Sequence, residues 1–277
     1  SILFGEIFYK YILYMIKNPY KIVVFDLDET LGYFTEFGIF CDCLNYYFKN
    51  NEYSEKNFNE LLNLFPEFLR PKILSILQYL KQKKKENKCY KIMIYTNNQG
   101  DKSWAINIKN YFDKELNYKL FDQIIAAFKV RGQQIEMGRT SHDKTINDFI
   151  SCTKLPENIE ICFIDDVYHS GMSDDKVYYI NVKPYYHKLS IQHMMLKFLD
   201  SKLGKAVKDK QEFVNSIEKE FKKYNYKVFE KEKEEQSVDE IVSKRMLQHL
   251  KQYFYESNGK SLKRRQKEKK NKSLKKK

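Results

Sequence analysis

Two pairs of acidic residues follow apolar runs of the chain and could carry out chemistry. Asp26 and Asp28 follow the first run, and Asp165 and Asp166 follow the fourth. Carboxylate oxygens are the ligands that a hard divalent cation such as Mg²⁺ prefers. A carboxylate can also attack phosphorus while a second carboxylate moves protons. The two pairs therefore indicate metal-assisted chemistry on a phosphate group.

Neutral and cationic side chains that suit a phosphate lie between these pairs. Thr96 and Asn97 end the second apolar run and offer a hydroxyl and backbone N–H groups to phosphate oxygens. Lys144 begins a helical pattern and could place its ammonium on the same oxygens, and Lys129, after the third run, is a rival for that role. Each feature alone is common in turns and helix caps. Their order, which is carboxylate pair, hydroxyl, lysine and carboxylate pair, is improbable by chance.

Five short apolar runs separated by helical patterns must position these side chains. Runs that are apolar throughout are typical of parallel strands covered on both faces. The predicted strands cover residues 21–27, 90–95, 121–127, 159–164 and 176–181. Helices are predicted over 70–85 and over 103–112, the second capped by Asp101. We therefore predict a doubly wound, Rossmann-like α/β domain over residues 21–188, with ligands at the carboxyl ends of the strands.

Two segments fall outside this alternation of strands and helices. Residues 32–69 have a mostly helical pattern and form a small cap-like insertion that is positioned to act as a lid. Residues 189–256 form a helical extension in which apolar residues recur at steps of three and four. Packing of these stripes on the main domain is favoured over a coiled coil with a partner. Ser237 and Glu240 form a capping box that predicts the start of the last helix.

The net charge of +13 lies mostly at the carboxyl end of the chain. Residues 257–277 hold 11 Lys and Arg and one Glu, a net charge of +10, so the other residues carry only +3. A segment with this composition does not bury a core and is expected to be disordered. It suggests an electrostatic arm for nucleic acid or a nuclear-import-like signal, with a solubilising tail as the alternative.

The cysteines and the amino-terminal residues restrict the cellular setting. Five cysteines without paired CxxC motifs argue against a disulfide framework and a zinc ribbon, so we expect a reducing, intracellular compartment, cytoplasmic or nuclear. The apolar stretch 2–16 is too short to span a bilayer and lacks the features of a secretory signal, so no membrane partner is expected. Residues 1–20 are treated as an amino-terminal extension, of which 1–14 are either upstream of the native fold or a short packing helix.

The ordered set of motifs resembles the haloacid dehalogenase superfamily of phosphotransferases. The match covers residues 21–181. The first motif corresponds to Asp26-Leu27-Asp28-Glu29-Thr30-Leu31, the second to Thr96, the third to Lys144 and the fourth to Asp165-Asp166. The first motif and Arg70-Pro71 are also similar to the NLI-interacting-factor-like branch, which contains protein phosphatases acting on the RNA polymerase II C-terminal domain.

This resemblance implies a two-step reaction through an aspartyl-phosphate. Asp26 would attack the phosphoryl group, while Asp28 would protonate the leaving oxygen and later deprotonate water. Thr96, the Asn97 backbone and Lys144 would neutralise the charge on the phosphoryl oxygens. The resemblance also implies a Mg²⁺ ion, whose ligands would be the Asp26 carboxylate, the Asp28 carbonyl and Asp165, with Asp166 acting as a ligand through water or orienting the other ligands.

The function expected from the resemblance is Mg²⁺-dependent hydrolysis of a phosphomonoester, most simply phosphoserine or phosphothreonine in a protein. The alternatives are a phosphatase of nucleic-acid ends or nucleotides, favoured by the basic tail, and a non-catalytic nucleic-acid-binding protein that keeps the fold. Three departures from the branch leave the substrate open. The insertion 32–69 is long, residues 167–169 are Val-Tyr-His, and Thr145 follows the motif lysine.

Overall fold

The computed structural model describes residues 19–225 and 231–255 of the chain. Most of the predicted amino-terminal extension and the basic tail 257–277 lie outside the described residues, and so do the predictions made for them. Within residues 19–225 and 231–255, no helix combines the length and apolarity needed to cross a bilayer.

A five-stranded parallel sheet forms the centre of the protein and confirms all five predicted strands. The strands are β1 (Tyr20–Phe25), β2 (Lys91–Tyr95), β3 (Gln123–Ile125), β6 (Ile159–Asp165) and β7 (Val177–Asn181). Their order across the sheet is β3-β2-β1-β6-β7. A separate antiparallel hairpin of β4 (Lys129–Val130) and β5 (Gln133–Gln134) follows β3.

The strand register brings the two acidic pairs to one edge of the sheet. Phe25 at the end of β1 is paired with Ile94 of β2 and with Ile164 of β6. Asp26 and Asp165, each one residue further on, therefore leave neighbouring strands side by side. The strands β2 and β3 lie on one side of β1, and the later strands β6 and β7 lie on its other side. The strand order therefore reverses between β1 and β6, and their carboxyl ends form the topological switch point at which α/β proteins bind ligands.

Both faces of the sheet are covered, as the continuously apolar strands predict. Along β1, Val23 and Phe25 face the larger core, and Ile22 and Val24 face a smaller one. The larger core contains helices α4 (Ile73–Lys85) and α5 (Lys102–Glu115), while α6 (Ile146–Cys152) covers the other face. The Asp101 side chain accepts a hydrogen bond from the Ser103 N–H, which confirms the predicted cap of α5.

The insertion is helical and completes the larger core. It contains α1 (Thr35–Tyr47), α2 (Tyr53–Lys56), α3 (Phe58–Asn63) and a 3₁₀ turn at Pro66–Phe68. Its ends meet, because the Tyr33 N–H donates to the Phe68 carbonyl and the Arg70 N–H donates to the Leu31 carbonyl. Its aromatic and aliphatic side chains are buried in the core that also covers the sheet. Deleting the insertion would therefore expose the core, and substitutions on its surface are the better test of a lid role.

The carboxyl-terminal extension packs on the main domain, as its apolar stripes predict. It contains α7 (Ile191–Asp200), a 3₁₀ turn at Leu203–Ala206, α8 (Lys210–Lys222) and α9 (Lys233–Tyr255). Met246, Leu250 and Phe254 of α9 enter the larger core. The predicted capping box is wrong, because α9 already runs from Lys233 and the Ser237 hydroxyl donates to the Lys233 carbonyl within the helix.

Tyr253 joins α9 to the central strands, and its removal is a test of this docking. Its hydroxyl oxygen accepts from the Ile22 N–H at 3.2 Å and lies 2.7 Å from the Glu160 carbonyl, to which it donates. Tyr253→Phe leaves these buried groups without that partner, so we expect a loss of about 1–3 kcal/mol in the free energy of unfolding. Tyr255→Phe on the same helix, 85% exposed, is the matched control and should change it by less than about 0.5 kcal/mol. If both variants change the free energy of unfolding by equally small amounts in denaturant titrations, the Tyr253 hydroxyl does not anchor α9 to the sheet.

Candidate active site

Three carboxylates meet at the carboxyl edge of β1 and β6. Asp26 and Asp165 are buried and Asp166 is partly buried, and one oxygen from each lies within 4.8 Å of the others. Asp166 is fixed by Thr30, whose hydroxyl donates to its Oδ1 at 3.0 Å. The Val167 N–H donates to Asp165 Oδ1 at 2.8 Å. The site therefore presents an all-oxygen donor set held by its own loops.

Lys144 supplies a buried positive charge to this cluster. Only 1% of the residue is exposed, and its Nζ lies 2.5 Å from Asp26 Oδ1 and 2.7 Å from Asp165 Oδ2. Burial lowers the pKa of Lys144, but the charges of Asp26 and Asp165 outweigh this and raise it, so the ammonium stays protonated. The rival Lys129 lies in the β4 hairpin, with its ammonium over the Phe128 ring. The structure thus brings Lys144 to the carboxylates.

A close backbone contact positions Lys144, which lies just before α6. The Thr145 hydroxyl caps α6 by accepting from the Asp148 N–H. The 3₁₀ turn at Ser170–Met172 passes so close that a Cβ on Gly171 would lie 2.7 Å from Thr145 Cγ2 and 3.0 Å from the Lys144 carbonyl oxygen. Only glycine fits there without displacing the lysine segment.

Asp28 stands apart from the three-carboxylate cluster. Its Oδ2 accepts from the Asn98 side-chain amide at 2.7 Å, and its side chain borders a cleft beside α1. Burial raises the pKa of Asp28 to about 6, and the Asn98 hydrogen bond only partly opposes this. The two members of the predicted pair therefore lie in different environments: Asp26 contacts Lys144, and Asp28 lines the cleft.

Thr96 and Asn97 follow β2 at the same edge of the sheet, next to the end of β1. The Thr96 hydroxyl oxygen accepts from the Asn98 N–H at 2.9 Å, so its proton can be donated elsewhere. Thr96 is buried and Asn97 is partly buried. These residues can offer a hydroxyl and N–H groups to an anion at the strand ends.

Like charges and burial make the cluster suitable for a cation. Burial raises the pKa of Asp165, with Lys144 opposing this and Asp26 adding to it. Burial and the nearby Asp26 charge also raise the pKa of Asp166. Neighbouring carboxylates repel one another when they are all ionised, and a divalent cation relieves this repulsion. The three Asp oxygens lie within 4.8 Å of one another and are the kind of ligand that Mg²⁺ prefers. The residues present therefore fit a Mg²⁺ ion.

Two buried arginines hold the loops of the site in place, a role that the sequence did not indicate. Arg139 donates from Nη1 to the Thr96 carbonyl at 3.2 Å and from Nη2 to the His142 carbonyl at 2.9 Å, which joins the end of β2 to the segment before Lys144. Arg70, noted only as part of a motif, donates to the Glu29 and Thr30 carbonyls, both at 2.6 Å. No periodicity marks Arg139, because its partners are backbone carbonyls, one of them at the end of a distant strand.

His169 is another polar side chain that lies near the cluster. Its Nε2 lies 3.5 Å from Asp165 Oδ2. Burial lowers the pKa of His169, and the charge of Lys144 lowers it further. The sequence analysis gave His169 no role, and the structure places it at the edge of the three-carboxylate cluster.

Comparison of this chain with known proteins gave no match among protein-family models, curated proteins or solved structures. The arrangement of residues at the switch point is therefore the basis for assigning a function.

Proposed function

We propose that the protein is a Mg²⁺-dependent phosphomonoester hydrolase of the haloacid dehalogenase type. The observation that carries the proposal is the contact of Lys144 with both Asp26 and Asp165, at a strand edge where Asp166 adds a third carboxylate. This combination provides a nucleophile, a fixed cation and an oxygen donor set in one place. The motif resemblance supports the same reaction, and the NLI-interacting-factor-like similarity favours phosphoserine or phosphothreonine in a protein within the cell.

The residues divide the reaction between two sides of the site. An oxygen of Asp26 attacks phosphorus, and the bond from phosphorus to the substrate oxygen breaks as the aspartyl-phosphate forms. Protonated Asp28 gives its proton to the leaving oxygen, so an alcohol departs. Asp28 then takes a proton from water, which attacks phosphorus and releases inorganic phosphate and the Asp26 carboxylate.

Charge neutralisation is the main contribution of the remaining groups. Lys144 contacts Asp26 and stands where negative charge increases on the phosphoryl oxygens, while Thr96 and the Asn97 N–H donate to the same oxygens. Asp26, Asp165 and Asp166 would hold Mg²⁺, which supplies Lewis-acid stabilisation when bound. Arg70 and Arg139 act indirectly by fixing the loops that carry these residues.

Hydrolysis of p-nitrophenyl phosphate by the full chain tests the proposal. We expect Mg²⁺-dependent release of p-nitrophenolate, reduced by about 10²-fold or more when the metal is removed with a chelator, because Lewis-acid stabilisation contributes several kcal/mol. Restoring Mg²⁺ after chelation is the control for irreversible damage. Turnover that is unchanged by chelation would contradict the proposed mechanism.

A further inference from the structure

Asp28 lines a cleft with a volume of about 570 Å³, and Lys144 is not among the residues that line it. One wall is formed by α1 and by the segment that carries α2. The other wall is formed by the loop after β2 and the first turn of α5. The volume is in the range of sites that bind small ligands or side chains. Because Asp28 borders it, the cleft lies where the alcohol side of a phosphomonoester would be bound.

The charge of the cleft distinguishes it from a site for a polyanion. Besides Asp28, the described lining residues include the carboxylates Asp42, Glu55 and Asp101, and no Lys, Arg or His is among them. Hydrogen bonding by Ser103 and, more weakly, the charge of Arg131 lower the pKa of Asp101, so it stays ionised. Further lining comes from amide side chains, which are Asn45, Asn51, Asn98, Gln99 and Asn107. The walls therefore favour ligands with positive charge and hydrogen-bond donors.

Aromatic rings provide an apolar part of the same cleft. Phe34, Phe58 and Trp104 line it, and the Phe58 and Trp104 rings are held edge to face with centroids 5.5 Å apart. Gly38 on α1 faces Trp104, where a Cβ would lie 3.5 Å from the indole. An aromatic surface beside carboxylates suits the aliphatic stem and cationic head of a lysine or arginine side chain.

We propose that this cleft selects a basic phosphopeptide, with phosphoserine or phosphothreonine at the catalytic cluster and a neighbouring Lys or Arg in the cleft. The inference rests on the proposed function and names the substrate class of the same site. Asp42, Glu55 and Asp101 have no part in the proposed chemistry, and in this proposal they interact with the positive charge of the substrate. A nucleic-acid end would place its next phosphates against these carboxylates, and the like charges would oppose binding.

Peptide kinetics test the selectivity directly. Two phosphoserine peptides of equal length, one flanked by lysines and one by glutamates, are compared with a 5′- or 3′-phosphorylated oligonucleotide and a small aminoalkyl phosphate. We expect kcat/KM to be about tenfold higher for the basic peptide than for the acidic one, the size expected from a few exposed charge pairs. The preference should decrease as salt is added.

A double charge removal tests whether the cleft is the source of this preference. The double variant Asp42→Asn, Glu55→Gln should bring the ratio of kcat/KM for the basic peptide to kcat/KM for the acidic peptide close to one. The matched control removes the same two charges from exposed positions outside the cleft, by Asp200→Asn with Glu115→Gln, and should leave the ratio as in the wild type. An equal effect of both pairs would show that net charge, not the cleft, sets the preference and would overturn the proposal.

Trp104 offers a binding measurement that does not depend on turnover. It is the single tryptophan of the chain and it lines the cleft. In the Asp26→Asn protein, the basic phosphopeptide should change the tryptophan emission at concentrations about tenfold lower than the acidic peptide does. Emission that responds equally to both peptides, or to neither, would contradict binding in the cleft.

The outcomes separate this inference from the proposed function. If p-nitrophenyl phosphate is not hydrolysed at all, the proposed function fails. If it is hydrolysed but the two peptides react equally, only the cleft assignment fails. Faster hydrolysis of the oligonucleotide end would assign the cleft to nucleic acid, and faster hydrolysis of the aminoalkyl phosphate would assign it to a small amine, and either result overturns the peptide proposal.

Discussion

Asp26→Asn is expected to lower kcat for phosphomonoester hydrolysis by at least about 10³-fold, because an amide oxygen cannot replace the attacking carboxylate. Asp26 follows β1 and lies beside the lysine and the other two acids, with Lys144 Nζ 2.5 Å from its Oδ1. The substitution is nearly isosteric, so the Asp165 contact with Lys144 can persist and the fold should be kept. The decrease in kcat should therefore reflect the loss of the nucleophile and not a loss of folded protein.

The measurement is steady-state hydrolysis of p-nitrophenyl phosphate, with circular dichroism to confirm folding. Asp200→Asn, an exposed residue at the end of α7, is the matched control and should retain wild-type turnover. A trapped beryllofluoride adduct should form on Asp26 of the wild-type protein. An adduct on another carboxylate, or substantial turnover by folded Asp26→Asn protein, would overturn the assignment of the nucleophile.

Lys144→Met is expected to reduce both activity and stability, because it leaves Asp26 and Asp165 facing each other without their cation. Breaking a buried ion pair by removing one partner costs about 3–5 kcal/mol. Lys144 is almost completely buried, so solvent does little to screen this loss. The free energy of unfolding at neutral pH should fall by an amount in that range, and activity should fall with it since charge on the phosphoryl oxygens is no longer neutralised.

The same variant offers a test of the metal site by stability. Mg²⁺ should raise the Tm of Lys144→Met by more than it raises that of the wild type, because the variant has no ammonium to offset the carboxylates. Lys129→Met is the matched control, since Lys129 is the rival lysine and lies in the hairpin. It should retain wild-type stability and response to Mg²⁺. Greater loss of activity in Lys129→Met than in Lys144→Met would reverse the assignment of the two lysines.

Local sequence patterns were sufficient to predict the strands and the edge at which the acidic residues meet. Ile22 to Phe25 are apolar at every position, a pattern typical of a strand covered on both faces, so the residues after it were expected at the carboxyl edge of the sheet. The same reasoning applies to Asp165 after β6. Periodicity also predicted that α9 packs on the domain. The capping box of Ser237 and Glu240 misplaced the start of α9, because Ser237 lies within the helix instead of before it.

Only the tertiary structure could decide between Lys144 and Lys129, since both lie between β3 and α6, where the sequence has no periodicity that predicts the path of the chain. The path depends on Arg139, which bonds to carbonyls on both sides of the loop, and on the close passage of Gly171. The cleft beside Asp28 likewise depends on walls that are about sixty residues apart in the chain. The sequence by itself determined which residues stand at the strand ends, because strand formation is encoded in local apolar pattern. Which side chains meet there, and what lines the space beside them, was decided by packing between distant segments.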